Sequence, residues 1–221
     1  MSRAKAPKFV SNEAGPSDLF ENKLLNRLTR THTAIPVTLF FLYAAGLLYY
    51  SKVATELSNW TIVGLFFAGI FVFTFVEYAM HRWLYHPPED ATDKYQEFTY
   101  TIHGHHHAYP KDKQRLAMPP LLAVTIGTVL LIIFKLILNQ YACAFLAGFM
   151  VGYAMYLLVH YMVHMFKMPN NFLKALWINH AIHHYADHDD VLYGVSTPLW
   201  DYIFGTLPEK KSMKGVEVNK S

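Results

Sequence analysis

Cysteine is almost missing: Cys143 stands alone in 221 residues, which excludes an internal disulfide and any thiolate-based metal site. Charge is also scarce. Asp, Glu, Lys and Arg make up 16% of the chain and leave a net charge of only +3, too little to indicate a nucleic-acid partner. Nothing resembling a secretory signal opens the sequence, because residues 1–30 stay polar ahead of the first long apolar run. What abounds is apolar. Hydrophobic residues are 53% and aromatics 16% of the chain, and mean hydropathy is +0.15, which indicates a membrane protein.

The pattern along the chain predicts an all-α integral membrane fold. Residues 1–16, with Pro7, Gly15 and Pro16, read as a disordered tail. Ser17 or Asp18 is placed to cap a short interfacial helix with Phe20, Leu24 and Leu28 on one face. Four uncharged or nearly uncharged runs, about 33–50, 60–80, 119–138 and 141–166, are candidate spans. One domain over 17–208 and a Lys-rich tail over 209–221 complete the division. Four spans return both termini to one side. Apart from Lys52 and Lys135, every Lys and Arg lies before the first span, between Met80 and Pro119, or after Phe166. The positive-inside rule makes that side cytoplasmic, in a bacterial inner membrane or the endoplasmic reticulum.

Histidine carries the chemistry. His103, His106 and His107 form HxxHH, and His180, His183 and His184 repeat it more than seventy residues later. His81 and His86 form HxxxxH, and His160 and His164 form HxxxH. A helix carries i, i+3 and i+4 on one face, so each HxxHH is expected to present three nitrogens together. Neutral imidazole suits iron, zinc and copper. One mononuclear site uses about three or four protein ligands, so ten histidines point to two metals. Four spans place all four clusters on the same side, where they can converge. His32 reads as an ordinary core or surface residue, and His105 and His188 are spare by spacing. Pro87 and Pro88 are expected to break the helix between His81 and His86. Glu77, Asp187, Tyr193 and Asp201 are candidates to support the ligands, Glu77 through Arg82 or a ligand histidine and the others through imidazole. Lys111, Lys113 and Arg115 are candidates to meet acidic headgroups, an acyl carrier or an acidic redox partner.

The strings EYAMHRWLYH, HGHHHAYPKDKQRLAMPP, LLVHYMVH, NHAIHHY and GVSTPLWDYIFGTLP resemble the fatty acid hydroxylase superfamily, most closely its fatty acid 2-hydroxylases. The resemblance runs from about Asp18 to Pro208. It implies that His81, His86, His103, His106, His107, His160, His164, His180, His183 and His184 ligate a non-haem di-iron centre; spacing alone does not identify the metal, and imidazole would also accept zinc in its place. It further implies dioxygen as co-substrate, and electrons passed from NAD(P)H through a separate cytochrome b5-, ferredoxin- or reductase-type donor, since no fused cytochrome b5 is expected here. The implied reaction is hydroxylation at C2 of a fatty acid or of the N-acyl chain of a sphingolipid.

Sterol desaturases or methyl oxidases and carotenoid hydroxylases use nearly the same histidine frame, so a rigid ring substrate is the alternative within the superfamily. A metal-binding or transporting membrane protein without redox activity is an alternative of another class; it would need ionisable residues within the spans, whose centres are apolar here. A zinc hydrolase would need only three protein ligands.

Overall fold

Long apolar runs satisfy their own backbone in lipid only as helices or closed barrels, and in the computed structural model of the chain these runs are helices. It describes residues 9–15, 19–88, 90–185 and 191–208, the side chains of Leu25 and Leu28 excepted, and no strand occurs among the described residues. Helix α1 (Lys23–Leu28) precedes α2 (Ala34–Ala54) and α3 (Asn59–Ala79), which runs on into a π-helical turn at Met80–Tyr85. Then come α4 (Asp93–Thr99), a second π-helical turn at Tyr100–Gly104, and α5 (His105–Ala108). Helices α6 (Pro120–Leu138), α7 (Ala142–Met165), α8 (Lys174–Tyr185) and α9 (Leu199–Phe204) complete the order.

Three stretches are long and apolar enough to cross a membrane: Ala34–Ala54, Asn59–Tyr85 and Pro120–Met165. The third is not one rod. A 3-10 turn at Asn139–Tyr141, with Asn139 at φ 49°, separates α6 from α7. The two lie against each other, and Phe134 of α6 meets the rings of Phe145 and Phe149 of α7 at 5.2 and 5.9 Å.

Helix α7 is central, and Leu146, Met150, Ala154 and Leu157 pack with Phe40, Ala44 and Leu47 of α2 and Phe73 of α3. Lipid tails are as apolar as leucine, so such helices associate through close packing rather than the hydrophobic effect. Small residues permit it. A Cβ added at Gly148 would lie 1.8 Å from the Phe66 carbonyl oxygen, and one at Gly69 would lie 2.0 Å from that of Phe145. The backbones of α3 and α7 therefore touch, and that contact sets where their histidine-bearing ends emerge. Near the other end of α6, Lys135 reaches back over the Tyr50 ring at 5.1 Å.

The N-terminal region departs from its sequence-based expectation. Residues 9–15 are held against the polar cap: the Val10 and Ser11 amides donate to the Ala108 carbonyl at 3.0 and 3.2 Å, and Phe9 packs edge-on to Tyr185 at 5.4 Å. Polar composition concealed this because the anchors are backbone amides and one ring. The expected caps Ser17 and Asp18, residues 1–8 of the tail, and the tail over 209–221 lie outside the described residues. Helix α1 begins later than expected. Phe20 precedes it because the Asn26 side chain accepts the Leu19 and Phe20 amides at 2.8 and 2.9 Å, holding that segment off the helix.

Candidate metal centre

His81 and His86 are five residues apart, about 140° around an ideal α-helix. The chain resolves the mismatch by widening. Met80–Tyr85 is π-helical, and His86 leaves the helix at φ −108°, ψ 86°, before the prolines expected to make the break. The second π-helical turn carries His103. Such turns re-aim side chains, and they recur at functional sites.

Ten histidines converge in two groups of five. His81, His86, His103, His107 and His183 form one group, and His106, His160, His164, His180 and His184 the other. Within each, the available ligand nitrogens lie within 4.8 Å of one another. Each HxxHH is therefore divided, contrary to the expectation that it acts as a unit. Positions i+3 and i+4 diverge by about 100°, so His103 and His107 face one group while His106 faces the other. His180 and His184 likewise part from His183. The groups abut, with the His107 and His184 rings stacked at 4.2 Å.

The donor set fits metal. His103 Nε2 lies 3.0 Å from His81 Nε2 and 2.8 Å from His107 Nε2. His106 Nε2 lies 2.9 Å from His160 Nε2 and 3.2 Å from His184 Nε2. One neutral imidazole nitrogen carries at most one proton and cannot donate to two neighbours at once. Nitrogens bound to a common ion at about 2.1 Å, at right angles, sit roughly 3 Å apart, so a shared cation reconciles the spacing. Two rings also have fixed tautomers. His81 Nδ1–H donates to the Tyr193 carbonyl at 2.6 Å and His183 Nδ1–H to the Val191 carbonyl at 2.8 Å, which turns each Nε2 lone pair inward.

The carbonyls that hold these rings belong to the segment 191–195, and two buried carboxylates secure it. Glu77 accepts the Val195 and Ser196 amides at 2.7 and 2.8 Å, as well as the Ser196 hydroxyl. Asp201 accepts the Tyr193 and Gly194 amides, both at 2.9 Å, and the Thr206 hydroxyl at 2.7 Å. Burial pushes the Asp201 carboxyl up, while the Thr206 hydroxyl and the two amides act against that shift. Among the described residues the hydrogen-bond partners of both acids are main-chain amides and hydroxyls, not Arg82 or a ligand histidine as expected. Arg82 donates instead to the Tyr78 hydroxyl at 2.9 Å. Tyr193 supports His81 through its main-chain carbonyl, and its ring lies edge-on to His81, His86 and His183 at 5.7, 5.6 and 5.7 Å; Asp187 and His188 lie outside the described residues.

His105 joins neither group. It is 2% exposed, with Arg115 Nη1 at 3.0 Å from its Nε2, so Arg115 is engaged within the cap rather than simply offered to a partner. His32 packs near Tyr161 at 6.3 Å. Sequence reasoning missed Tyr85 and Tyr156, which stack on His103 and His160 at 4.9 and 5.5 Å; Tyr85 falls inside the first histidine motif, and Tyr156 lies one turn before His160. It also missed Ser196 and Thr206, although both belong to the closing string.

Two expected outcomes follow from this geometry. Glu77→Ala strands the Val195 and Ser196 amides, at roughly 1–3 kcal/mol for each that stays buried. The loosened segment then lowers metal affinity by about 10–100-fold, read by chelator competition, with Glu77→Gln restoring part of the loss because its amide oxygen still accepts. The second concerns pH. Burial, followed by repulsion from neighbouring imidazoles, holds His103, His106, His107, His180 and His184 well below the ordinary value of 6.5. Burial and Arg115 lower His105 to about 4. In the unfolded chain these groups take up protons near 6.5, whereas the folded chain keeps them neutral. Metal-free protein should therefore be most stable above pH 6.5 and lose stability as pH falls from there through the depressed values. Thermal unfolding across pH 4–8 reads this directly; a flat profile would contradict the neutral buried cluster.

Long apolar helices and two groups of five histidines define a membrane protein, helical in its described residues, with a candidate dinuclear metal centre. Residues 66–206 match the fatty acid hydroxylase family. Similar proteins include the ceramide very long chain fatty acid hydroxylase scs7 of Schizosaccharomyces pombe, 37% identical over 87% of this chain and 55% of the relative. The fatty acid 2-hydroxylase of Homo sapiens is 38% identical over 68% of this chain and 41% of its own. A solved structure titled full-length scs7p, with only the hydroxylase domain visible, superposes with a TM-score of 0.74 at 32% identity, covering 86% of this chain and 72% of that one. The chain belongs to the fatty acid hydroxylase family, and it spans about half the length of the curated relatives it matches.

Proposed function

We propose that this chain hydroxylates a lipid acyl chain at C2, either of a fatty acid or of the N-acyl group of a sphingolipid, using two metal ions held by the ten histidines. The observation that carries the reading is the five-and-five division of imidazoles at the end of an apolar helical bundle. The imidazole-only donor set suits iron, with zinc able to occupy the same positions. The metal pair, when bound, supplies the dioxygen chemistry that side chains lack for an unactivated C–H bond. Relatives named as fatty acid 2-hydroxylases and ceramide hydroxylases support the acyl substrate.

The remaining work belongs to the protein. Glu77 and Asp201 hold the segment whose carbonyls orient His81 and His183. From α2 towards the histidines runs an aromatic column: Phe40 meets Tyr153 at 4.9 Å, Tyr153 stacks on Tyr156 at 5.9 Å, and Tyr156 stacks on His160 at 5.5 Å. This column offers an apolar wall along which an acyl chain lies, with its carbonyl end at the cap, and it keeps water from the reacting carbon. Helices α2, α3, α6 and α7 each cross the bilayer, since a continuous 46-residue Pro120–Met165 rod would be about twice the length one crossing needs. The histidine cap and both termini then face the cytoplasm. Electrons arrive from a donor of cytochrome b5, ferredoxin or reductase type.

Comparing the lipids of cells with and without the protein tests the substrate. New 2-hydroxyacyl lipids that depend on His106 are expected. Altered sterols or carotenoids without any 2-hydroxyacyl lipid would transfer the reaction to a ring substrate.

A further inference from the structure

One cavity has no part in the metal site. It measures about 570 Å³ and lies between α1 and the starts of α2 and α6; Lys23, Arg27, Arg30, His32, Ile35 and Pro120 belong to its lining, and no carboxylate is among the described residues that line it. The three cations follow an i, i+4, i+7 spacing, so α1 and its extension turn one basic side towards the cavity. The pocket is open to solvent, and two contacts fix its shape. The Thr31 amide donates to the Gln114 carbonyl at 2.9 Å, tying the α1–α2 link to the segment before α6. The His32 Nδ1 accepts the Ala34 amide at 3.2 Å, which leaves the Nε2 position as the ring's donor.

Location identifies the occupant. Helices α2 and α6 both begin at this pocket, at the level where apolar helix meets the polar cap. Ile35 in its wall, and Leu121 and Leu122, which follow the lining residue Pro120 in sequence, are 49, 68 and 48% exposed, so apolar side chains border the basic pocket. A soluble anion needs only the charge. A phospholipid uses both parts.

We propose that this pocket binds the phosphate of an anionic membrane phospholipid, whose acyl chains lie along Ile35, Leu121 and Leu122. A basic residue at an anionic lipid surface is worth roughly fivefold in binding, so removing two should weaken retention by about thirtyfold.

The test uses the full chain with its metals, equilibrated with equal phosphatidylglycerol and phosphatidylcholine and read by native mass spectrometry. The unaltered protein should retain phosphatidylglycerol preferentially. Lys23→Gln with Arg27→Gln should lose that preference about thirtyfold and Arg27→Gln alone about fivefold, while Lys174→Gln, on α8, retains it. Unchanged metal content in the variants separates this outcome from misfolding and from any failure of the hydroxylase reading. Equal retention of the two lipids by the unaltered protein would overturn the proposal. So would unchanged retention in Arg27→Gln, or displacement by inorganic phosphate as effective as that by long-chain phosphatidylglycerol.

Discussion

His183→Ala should lower the metal content from two ions per chain to one and abolish acyl hydroxylation. The ring is wholly buried. Its Nδ1–H is committed to the Val191 carbonyl, and its Nε2 belongs to the group containing His81, His86, His103 and His107. Losing an outer partner of a metal ligand typically costs 10–100-fold, and losing the ligand itself should exceed the upper end of that range, about 100-fold. The division of the second HxxHH makes the forecast selective. His183 serves one group while its sequence neighbour His184 serves the other, so alanine at either position should deplete a different ion. Metal analysis of both variants, with electron paramagnetic resonance on iron-loaded samples, distinguishes a remaining mononuclear site from a weakened pair. Retention of two ions in His183→Ala would remove this residue from the ligand set.

Gly148→Leu should disrupt the bundle itself. The first atom of the new side chain would meet the Phe66 carbonyl oxygen at 1.8 Å, and main chain cannot rotate aside as a side chain can. Overpacking costs typically about 1–3 kcal/mol where neighbours relax, and a helix pair joined by touching backbones should meet or exceed the upper figure. Separating α3 from α7 also separates His81 from His160, so metal loading should fall at both groups together, unlike the single-site loss from His183→Ala. Thermal unfolding in detergent, with metal analysis of the folded fraction, reads both effects. Native stability with full loading would show that this contact does not set the cap.

Much of this arrangement was legible in residue order. The apolar runs located the long helices to within a few residues, because lipid leaves the backbone few alternatives. Histidine spacing likewise singled out the ten residues that the fold brings together. Their allocation was not legible. The helical period turns His106 away from His107, but which distant histidines each then meets depends on how α5 meets α7 and α8, which no local period encodes. Glu77 stood out as a carboxylate near a membrane boundary, yet its partners Val195 and Ser196 are 118 and 119 residues away and offer main-chain amides. Such donors are present at nearly every residue and leave no mark in composition. The same reason hid the attachment of Val10 and Ser11 to Ala108. Spacing did show that His81 and His86 require an unwound helix, but the π-helical form of that unwinding came only with the backbone.

The most direct test is to load purified protein with iron under anaerobic conditions, place it in a bilayer with an N-acyl sphingolipid and a free fatty acid, and add reductant and 18O-labelled dioxygen. Mass spectrometry should find one 18O atom at C2 of an acyl chain, absent when His106 is replaced by alanine. Full iron loading and verified reduction with no 18O in any acyl product would contradict the assignment of this histidine centre to acyl hydroxylation.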